Sequence, residues 1–152
     1  MRVTLDSGVL VRAYTSSKGP AARLLATLPA WGHIIVVSPY ILDEVRRVLS
    51  YARVRRRAAL DPESIDSHLD GLRRTAEIVV PRVYAPVVFG DPNDDPVLYT
   101  AAAGKAEILC TLDRHFHAPN VLDFCVERGI RVMSDVELLR ELETDRSKGQ
   151  FA

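Results

Sequence analysis

The segment Arg2-Val3-Thr4-Leu5-Asp6 is the most informative part of the sequence for the fold. Its apolar and β-branched residues are typical of a short buried strand, and the acid stands where that strand ends. A second apolar run, Ile34-Ile35-Val36-Val37, is followed by Ser38-Pro39, a typical N-cap and first turn of a helix. Buried strands that lead into helices predict an α/β domain with a mainly parallel sheet.

Strands and helices alternate in the same way along the rest of the chain. Apolar runs predict further strands at residues 77–80, 108–112 and 130–133. Capping residues and the spacing of apolar residues predict helices at residues 21–28, 39–49, 62–76, 95–103, 121–128 and 136–142. We therefore predict one three-layer α/β/α domain over residues 1–143, followed by a polar, frayed tail over residues 144–152.

The composition is that of a folded domain. The chain has 152 residues, 47% of them hydrophobic, and its 20 basic residues balance its 20 acidic ones. These values exclude a disordered chain and a strongly basic protein that coats nucleic acid. No apolar run approaches the ~20 residues of a membrane span, and Asp6 interrupts any signal peptide. Cys110 and Cys125 form no close pair, so no disulfide framework or zinc knuckle is indicated. We expect a soluble, cytoplasmic protein that does not enter membranes.

Acidic residues gather at the predicted carboxyl edge of the sheet. Asp6 and Asp113 follow strands, Asp95 begins a helix, and Glu44 lies in the helix after the second strand. Ligand sites of open parallel sheets lie at that edge, so we expect these four acids to meet there. Two further acids precede Asp95 in its loop: Asp91 and Asp94.

Helix geometry selects Glu44 rather than its neighbour Asp43. At about 100° per residue, Glu44 lies roughly 100° from the centre of the apolar stripe of its helix, and Asp43 roughly 160°. We therefore expect Glu44 to reach a cleft beside the core and Asp43 to face solvent.

Converging carboxylates repel one another, which raises the pKa of at least one of them. A divalent cation relieves this repulsion, and oxygen ligands suit Mg²⁺ or Mn²⁺, the ions that serve phosphodiester hydrolysis. Simpler interpretations remain open: Asp95 or Asp113 as a cap, and Glu44 as a solvated helix residue. Asp6 fits such an interpretation less well, because a charge that ends a buried strand is costly without a partner.

Four segments resemble the motifs of the PIN-domain family. They are Leu5-Asp6-Ser7-Gly8-Val9-Leu10-Val11, Ser38-Pro39-Tyr40-Ile41-Leu42-Asp43-Glu44-Val45, Asp91-Pro92-Asn93-Asp94-Asp95-Pro96-Val97-Leu98 and Leu109-Cys110-Thr111-Leu112-Asp113. Their order and spacing agree with that family over about residues 1–140. The resemblance implies that the catalytic metal ligands are Asp6, Glu44, Asp95 and Asp113. It implies supporting roles for other residues in or next to these motifs: Ser7, Asp91, Asp94, Thr111 and His115.

The resemblance also implies an activity and partners. The chain is similar to VapC-type toxins, metal-dependent ribonucleases of toxin–antitoxin pairs. Family members bind Mg²⁺ or Mn²⁺, are commonly homodimers, and are inhibited by a cognate antitoxin. Two positions depart from the pattern: Gly8 stands where most members carry Asn, and His115 where many toxins carry a further acid.

A basic segment follows the second motif. It contains Arg46, Arg53, Arg55 and Arg56, with Tyr51 among them. Arginine pairs with phosphate and tyrosine stacks on bases, so this segment is a candidate RNA-binding ridge. The alternative is a solvated helix face whose arginines pair with nearby acids.

Three hypotheses for function follow. The first is an endoribonuclease that hydrolyses RNA with metal-activated water at the four acids. The second, favoured by Gly8, is a catalytically weak PIN-like module that binds RNA or an antitoxin. The third is an aspartyl-phosphate enzyme, which Gly8 disfavours because it replaces the second acid of an Asp-x-Asp pattern.

Overall fold

The central sheet has five strands, and each neighbouring pair is parallel. In the computed structural model, which describes residues 1–149, the strands are β1 (Arg2–Leu5), β2 (Ile34–Val37), β3 (Glu77–Ile78), β4 (Ile108–Cys110) and β5 (Arg131–Met133). Their order across the sheet is β3-β2-β1-β4-β5. The predicted parallel sheet is confirmed.

Helices connect the strands and cover the sheet. They are α1 (Ser7–Thr15), α2 (Pro20–Ala30), α3 (Pro39–Leu49), α4 (Ala52–Ala58), α5 (Pro62–Thr75), α6 (Asp95–Ala103), α7 (Pro119–Glu127) and α8 (Asp135–Gly149). The start of α3 forms as its sequence predicts, because the Ser38 side chain accepts a hydrogen bond from the Ile41 N–H and Pro39 occupies the first turn. The predicted three-layer α/β/α fold is confirmed.

Four helices differ from the sequence-based expectation. One of them, α4, was not predicted. Helix α1 was not predicted, and α2 continues through Pro29 instead of ending there. Helix α8 extends to Gly149, so residues 144–149 continue this helix instead of forming a frayed tail. Residues 150–152 of the predicted tail lie outside the described residues.

Within residues 1–149, no helix is both long enough and apolar enough to cross a membrane.

The centre of the sheet determines where a ligand can bind. The chain passes from β1 to β2 on one side, and later places β4 on the other side of β1. Leu5 pairs with Cys110, and the Asp6 N–H donates to the Cys110 carbonyl at 2.9 Å. The residues that follow β1 and β4 are therefore side by side at the switch point, where open α/β sheets bind ligands.

Candidate active site

Asp6 lies at the centre of the candidate site, directly after β1. It is only 6% exposed. Its Oδ2 accepts a hydrogen bond from the Thr111 hydroxyl at 2.8 Å, and its Oδ1 lies 3.3 Å from the Ser7 hydroxyl. Burial raises the pKa of Asp6, and these hydrogen bonds oppose the rise. The carboxylate is therefore fixed in orientation and would gain from a nearby positive charge.

Ser7 connects Asp6 to Glu44. The Ser7 hydroxyl is 2.9 Å from Glu44 Oε2, so its single proton can serve either carboxylate. The Glu44 side chain is 22% exposed and also pairs with Arg47 at 3.4 Å. Asp43 is exposed, as its position on the helix predicts. Glu44 therefore faces the acids from α3.

Asp113 follows β4 and is held by its neighbours. The Asp113 N–H donates to the Thr111 hydroxyl oxygen at 3.0 Å, and Asp113 Oδ1 accepts from the His115 N–H at 2.9 Å. Asp113 thus caps the short 3-10 turn Arg114–His117, as its simpler interpretation predicts. Since Thr111 also donates to Asp6, one threonine aligns the acids that follow the two central strands.

Asp94, and not Asp95, faces these acids. Burial raises the pKa of Asp94 to about 8, and the carboxylates of Asp113, Asp6 and Asp91 add to the rise. Asp94 Oδ2 is 3.9 Å from His115 Nδ1, which is itself 3.3 Å from Asp113 Oδ1. Asp94 therefore shows the raised pKa that is expected where carboxylates converge.

Asp95 has a different environment. It is 3% exposed, and its Oδ1 accepts two backbone hydrogen bonds, from Val87 N–H at 2.9 Å and from Val88 N–H at 2.8 Å. These bonds hold the long connection between β3 and α6 against the domain. The metal-ligand role of Asp95 stays a prediction, and its Oδ1 is already engaged by the backbone of this connection.

The acidic groups fit a divalent cation. Asp91, Asp94 and His115 each offer one ligand atom, and these atoms lie within 4.8 Å of one another. Asp94 Oδ2 and His115 Nδ1 are buried, and neither has a hydrogen-bond partner among the described residues. Buried polar atoms are normally paired, so a cation would satisfy both. Asp91 also accepts a bond from the Asn93 N–H at 3.1 Å, which orders the turn that carries Asp94.

Sequence reasoning missed two residues of this site. Tyr40, one helical turn before Glu44, donates its hydroxyl proton to the Asn93 carbonyl and so ties α3 to the turn before α6. Burial raises the pKa of Tyr40, and the charges of Glu44 and Asp94 add to the effect. Gly90 was missed as well; a Cβ there would lie 2.6 Å from His115 Cδ2. The four-residue spacing of Tyr40 and Glu44 could have revealed the first, whereas the second depends on a tertiary contact.

The arginines of the basic segment have different surroundings. Arg46 forms an ion pair with Asp66, as the alternative interpretation of this segment expects. Arg53 and Arg56 are exposed on α4, and Arg55 is half-buried there. The RNA-binding ridge stays a prediction, and three of its four arginines lie on α4.

Comparison with known families agrees with the motif resemblance. The family model described as "PIN domain" matches residues 2–115, a span that contains the acids described above. A search of curated protein sequences gives no significant match.

Comparison with solved structures supports the fold. A chain in the crystal structure of VapBC2 from Rickettsia felis, bound to a DNA fragment from their promoter, superposes with a TM-score of 0.55 and 19% sequence identity. The match covers 87% of this chain and 98% of that chain. At this identity the likeness concerns the fold.

Proposed function

Because the chain belongs to the PIN-domain family, we propose that it is a metal-dependent endoribonuclease of the VapC toxin type. One observation carries the proposal: carboxylates from four separate segments converge at the switch point of the sheet. They are Asp6, Glu44, Asp94 and Asp113. Burial, with the charge of neighbouring carboxylates, raises the pKa of Asp6 and of Asp94, and acids perturbed in this way are common in functional sites.

We propose that Mg²⁺ or Mn²⁺ binds among these acids, with Asp91 and His115 beside them. A bound divalent ion would lower the pKa of the attacking water and stabilise negative charge on the scissile phosphate. Asp94 must first lose the proton that its raised pKa favours, so loading of the site depends on pH. We leave Asp95 out of this ligand set, because its Oδ1 already accepts two backbone hydrogen bonds.

The remaining residues act as positioning residues. Thr111 fixes the Asp6 carboxylate, and Ser7 keeps Glu44 close to it. Tyr40 holds the turn that carries Asp94. The protein would therefore contribute position and charge, and the nucleophile would be water, with no covalent intermediate.

Partners belong to the same proposal. The similar chain from Rickettsia felis comes from VapBC2, which supports a cognate antitoxin for this protein as well. RNA is the proposed substrate, and a cytoplasmic homodimer is the proposed state.

The proposal is tested by cleavage of a mixed RNA pool with Mn²⁺, with Mg²⁺ and with EDTA. The variants are Asp6→Asn and Asp94→Asn, and the matched control is Asp123→Asn on the exposed face of α7. We expect cleavage that needs the metal, disappears in both site variants and persists in the control. Cleavage that is unchanged in EDTA, or retained by both site variants, would contradict the proposal.

One observation favours the catalytically weak binding module as a second candidate. Gly8 lies in the first turn of α1, next to Ser7, and a Cβ at Gly8 would meet no atom within 4 Å. Packing therefore does not require glycine here, and the missing side chain is a chemical difference from the family pattern. For this candidate we expect a folded protein that binds metal and RNA without cutting. Gly8→Asn should then restore cleavage.

A further inference from the structure

A groove with two arginines lies between α1 and α4. Its volume is about 360 Å³. The lining residues that matter here are Val11, Thr15, Tyr51, Arg53, Val54 and Arg57. We call it the basic groove. Its floor is partly apolar, while its rim presents guanidinium groups and an aromatic ring, a combination suited to a ligand with both flat rings and negative charge.

The basic groove and the acids are connected by helix α1. Ser7, Val11 and Thr15 follow one another at four-residue spacing, so they share one face of α1. At 1.5 Å rise per residue, Val11 lies about 6 Å and Thr15 about 12 Å along the helix from Ser7. Ser7 donates to Glu44, which is one of the proposed ligands. The groove is therefore close enough to receive nucleotides that flank a phosphate held at the acids.

A second helix leads from the acids to the same place. Glu44 and Arg47 lie one turn apart on α3, and Tyr51 follows the end of that helix by two residues. The Tyr51 side chain is 51% exposed at the groove. Its ring is thus accessible to a ligand that extends from the acids along α3.

The charges of the groove are unneutralised. Arg53 and Arg57 are exposed and four residues apart on α4. Neither forms an ion pair or a side-chain hydrogen bond with any other residue in the described range 1–149, whereas Arg46 pairs with Asp66 and Arg47 with Glu44. Exposed arginines without acidic neighbours are available for phosphate.

We propose that the basic groove binds the single-stranded RNA that flanks the cleaved phosphate. Arg53 and Arg57 pair with backbone phosphates, and Tyr51 stacks on a base. This inference rests on the proposed ribonuclease function and adds the route of the substrate to it. An acidic peptide is the competing ligand of the groove, but it has no base to stack on the exposed Tyr51 ring.

The test is binding of a fluorescently labelled single-stranded RNA by anisotropy, in EDTA so that nothing is cut, over a series of salt concentrations. The first variant is the double substitution Arg53→Gln with Arg57→Gln. Its charge-matched control is Arg73→Gln with Arg74→Gln on the exposed side of α5. Because each lost phosphate contact to a single strand reduces the salt slope by about 0.7, we expect the slope of log K against log salt to fall by about 1.4 in the groove variant. The control should keep the slope of the wild type.

The aromatic contact is tested separately. We expect Tyr51→Ala to weaken RNA binding about fivefold or more at every salt concentration, because stacking on a base is lost. Tyr51→Phe keeps the ring, so it should bind within about twofold of the wild type. Thermal unfolding of every variant is measured as a control, to check that each one is folded.

Four outcomes overturn or separate the proposals. Groove variants that bind RNA with the salt slope and affinity of the wild type would overturn the groove proposal. Groove variants that keep RNA binding but lose affinity for an acidic peptide or antitoxin would also overturn it. That result would assign the groove to a protein partner. If the wild type cuts RNA with metal and the groove variants cut it with unchanged KM, only the groove proposal fails. A folded wild type that neither cuts nor binds RNA contradicts the ribonuclease function itself.

Discussion

Replacing Asp95 with alanine removes one oxygen that serves two backbone donors, one on the buried Val88 and one on the half-buried Val87. Asp95 Oδ1 accepts from the N–H groups of Val87 and Val88 at 2.9 and 2.8 Å, and Val88 is fully buried. A buried donor that loses its partner costs about 1–3 kcal/mol. We therefore expect Asp95→Ala to lower the free energy of unfolding by roughly 2–5 kcal/mol, a large part of the roughly 5–15 kcal/mol typical of a domain.

The assay is thermal unfolding followed by circular dichroism. For a chain of this length, each kcal/mol corresponds to roughly 2–4 °C, so Tm should fall by roughly 5–15 °C in Asp95→Ala. Asp95→Asn keeps a carbonyl oxygen that can accept both bonds, and its Tm should stay within a few degrees of the wild type. Asp123→Ala removes an exposed carboxylate from α7 and serves as the matched control, with no expected change.

Metal binding separates the anchoring role of Asp95 from a ligand role. Asp95→Asn should bind Mn²⁺ as the wild type does, because its side chain is engaged with the backbone of the connection to α6. Asp94→Asn should lose most Mn²⁺ affinity while remaining folded. The reasoning is refuted if titration calorimetry gives the opposite pattern, with Asp95→Asn folded but unable to bind Mn²⁺ and Asp94→Asn binding normally.

Three further predictions concern the neighbourhood of Asp94. In the metal-free protein the pKa of Asp94 is raised from 3.8 to about 8, so between these pH values the folded state holds a proton that the unfolded state releases. The free energy of unfolding should therefore decrease as the pH rises from about 4 to 8. Urea midpoints across this range should show the loss in the wild type and not in Asp94→Asn; equal pH dependence in both would contradict it. Gly90→Ala should displace the His115 ring, because the new Cβ would lie 2.6 Å from His115 Cδ2. We expect Mn²⁺ binding to weaken severalfold and the free energy of unfolding to fall by about 1–3 kcal/mol. Unchanged Mn²⁺ affinity would count against a role for His115. Tyr40→Phe removes the hydrogen bond to the Asn93 carbonyl, so the free energy of unfolding should fall by about 0.5–1.5 kcal/mol. RNA cleavage should slow severalfold. Cleavage rates equal to those of the wild type would contradict a positioning role for Tyr40.

Most of the fold was predictable because local rules govern it. Strand β2 has the predicted bounds, and Ser38 caps α3 through its side chain. Helix α1 is one exception: Gly8 and the β-branched Val9 and Val11 have modest helix propensity, and no side-chain cap precedes them. It forms because Val9 and other apolar residues of one face are buried in the core, a contribution that only the tertiary structure supplies.

The segments that carry the acids can be identified from local sequence patterns, because an acid directly after a buried parallel strand lies at the carboxyl edge of the sheet. That reasoning applies to Asp6 and Asp113, which follow β1 and β4. Contacts between distant segments distinguish Asp94 from Asp95. Adjacent residues at the start of a helix point about 100° apart, so their side chains meet different surroundings. Asp95 accepts two N–H groups of the preceding connection, whereas the Asp94 carboxylate lies near His115, and such long-range contacts cannot be read from local sequence patterns.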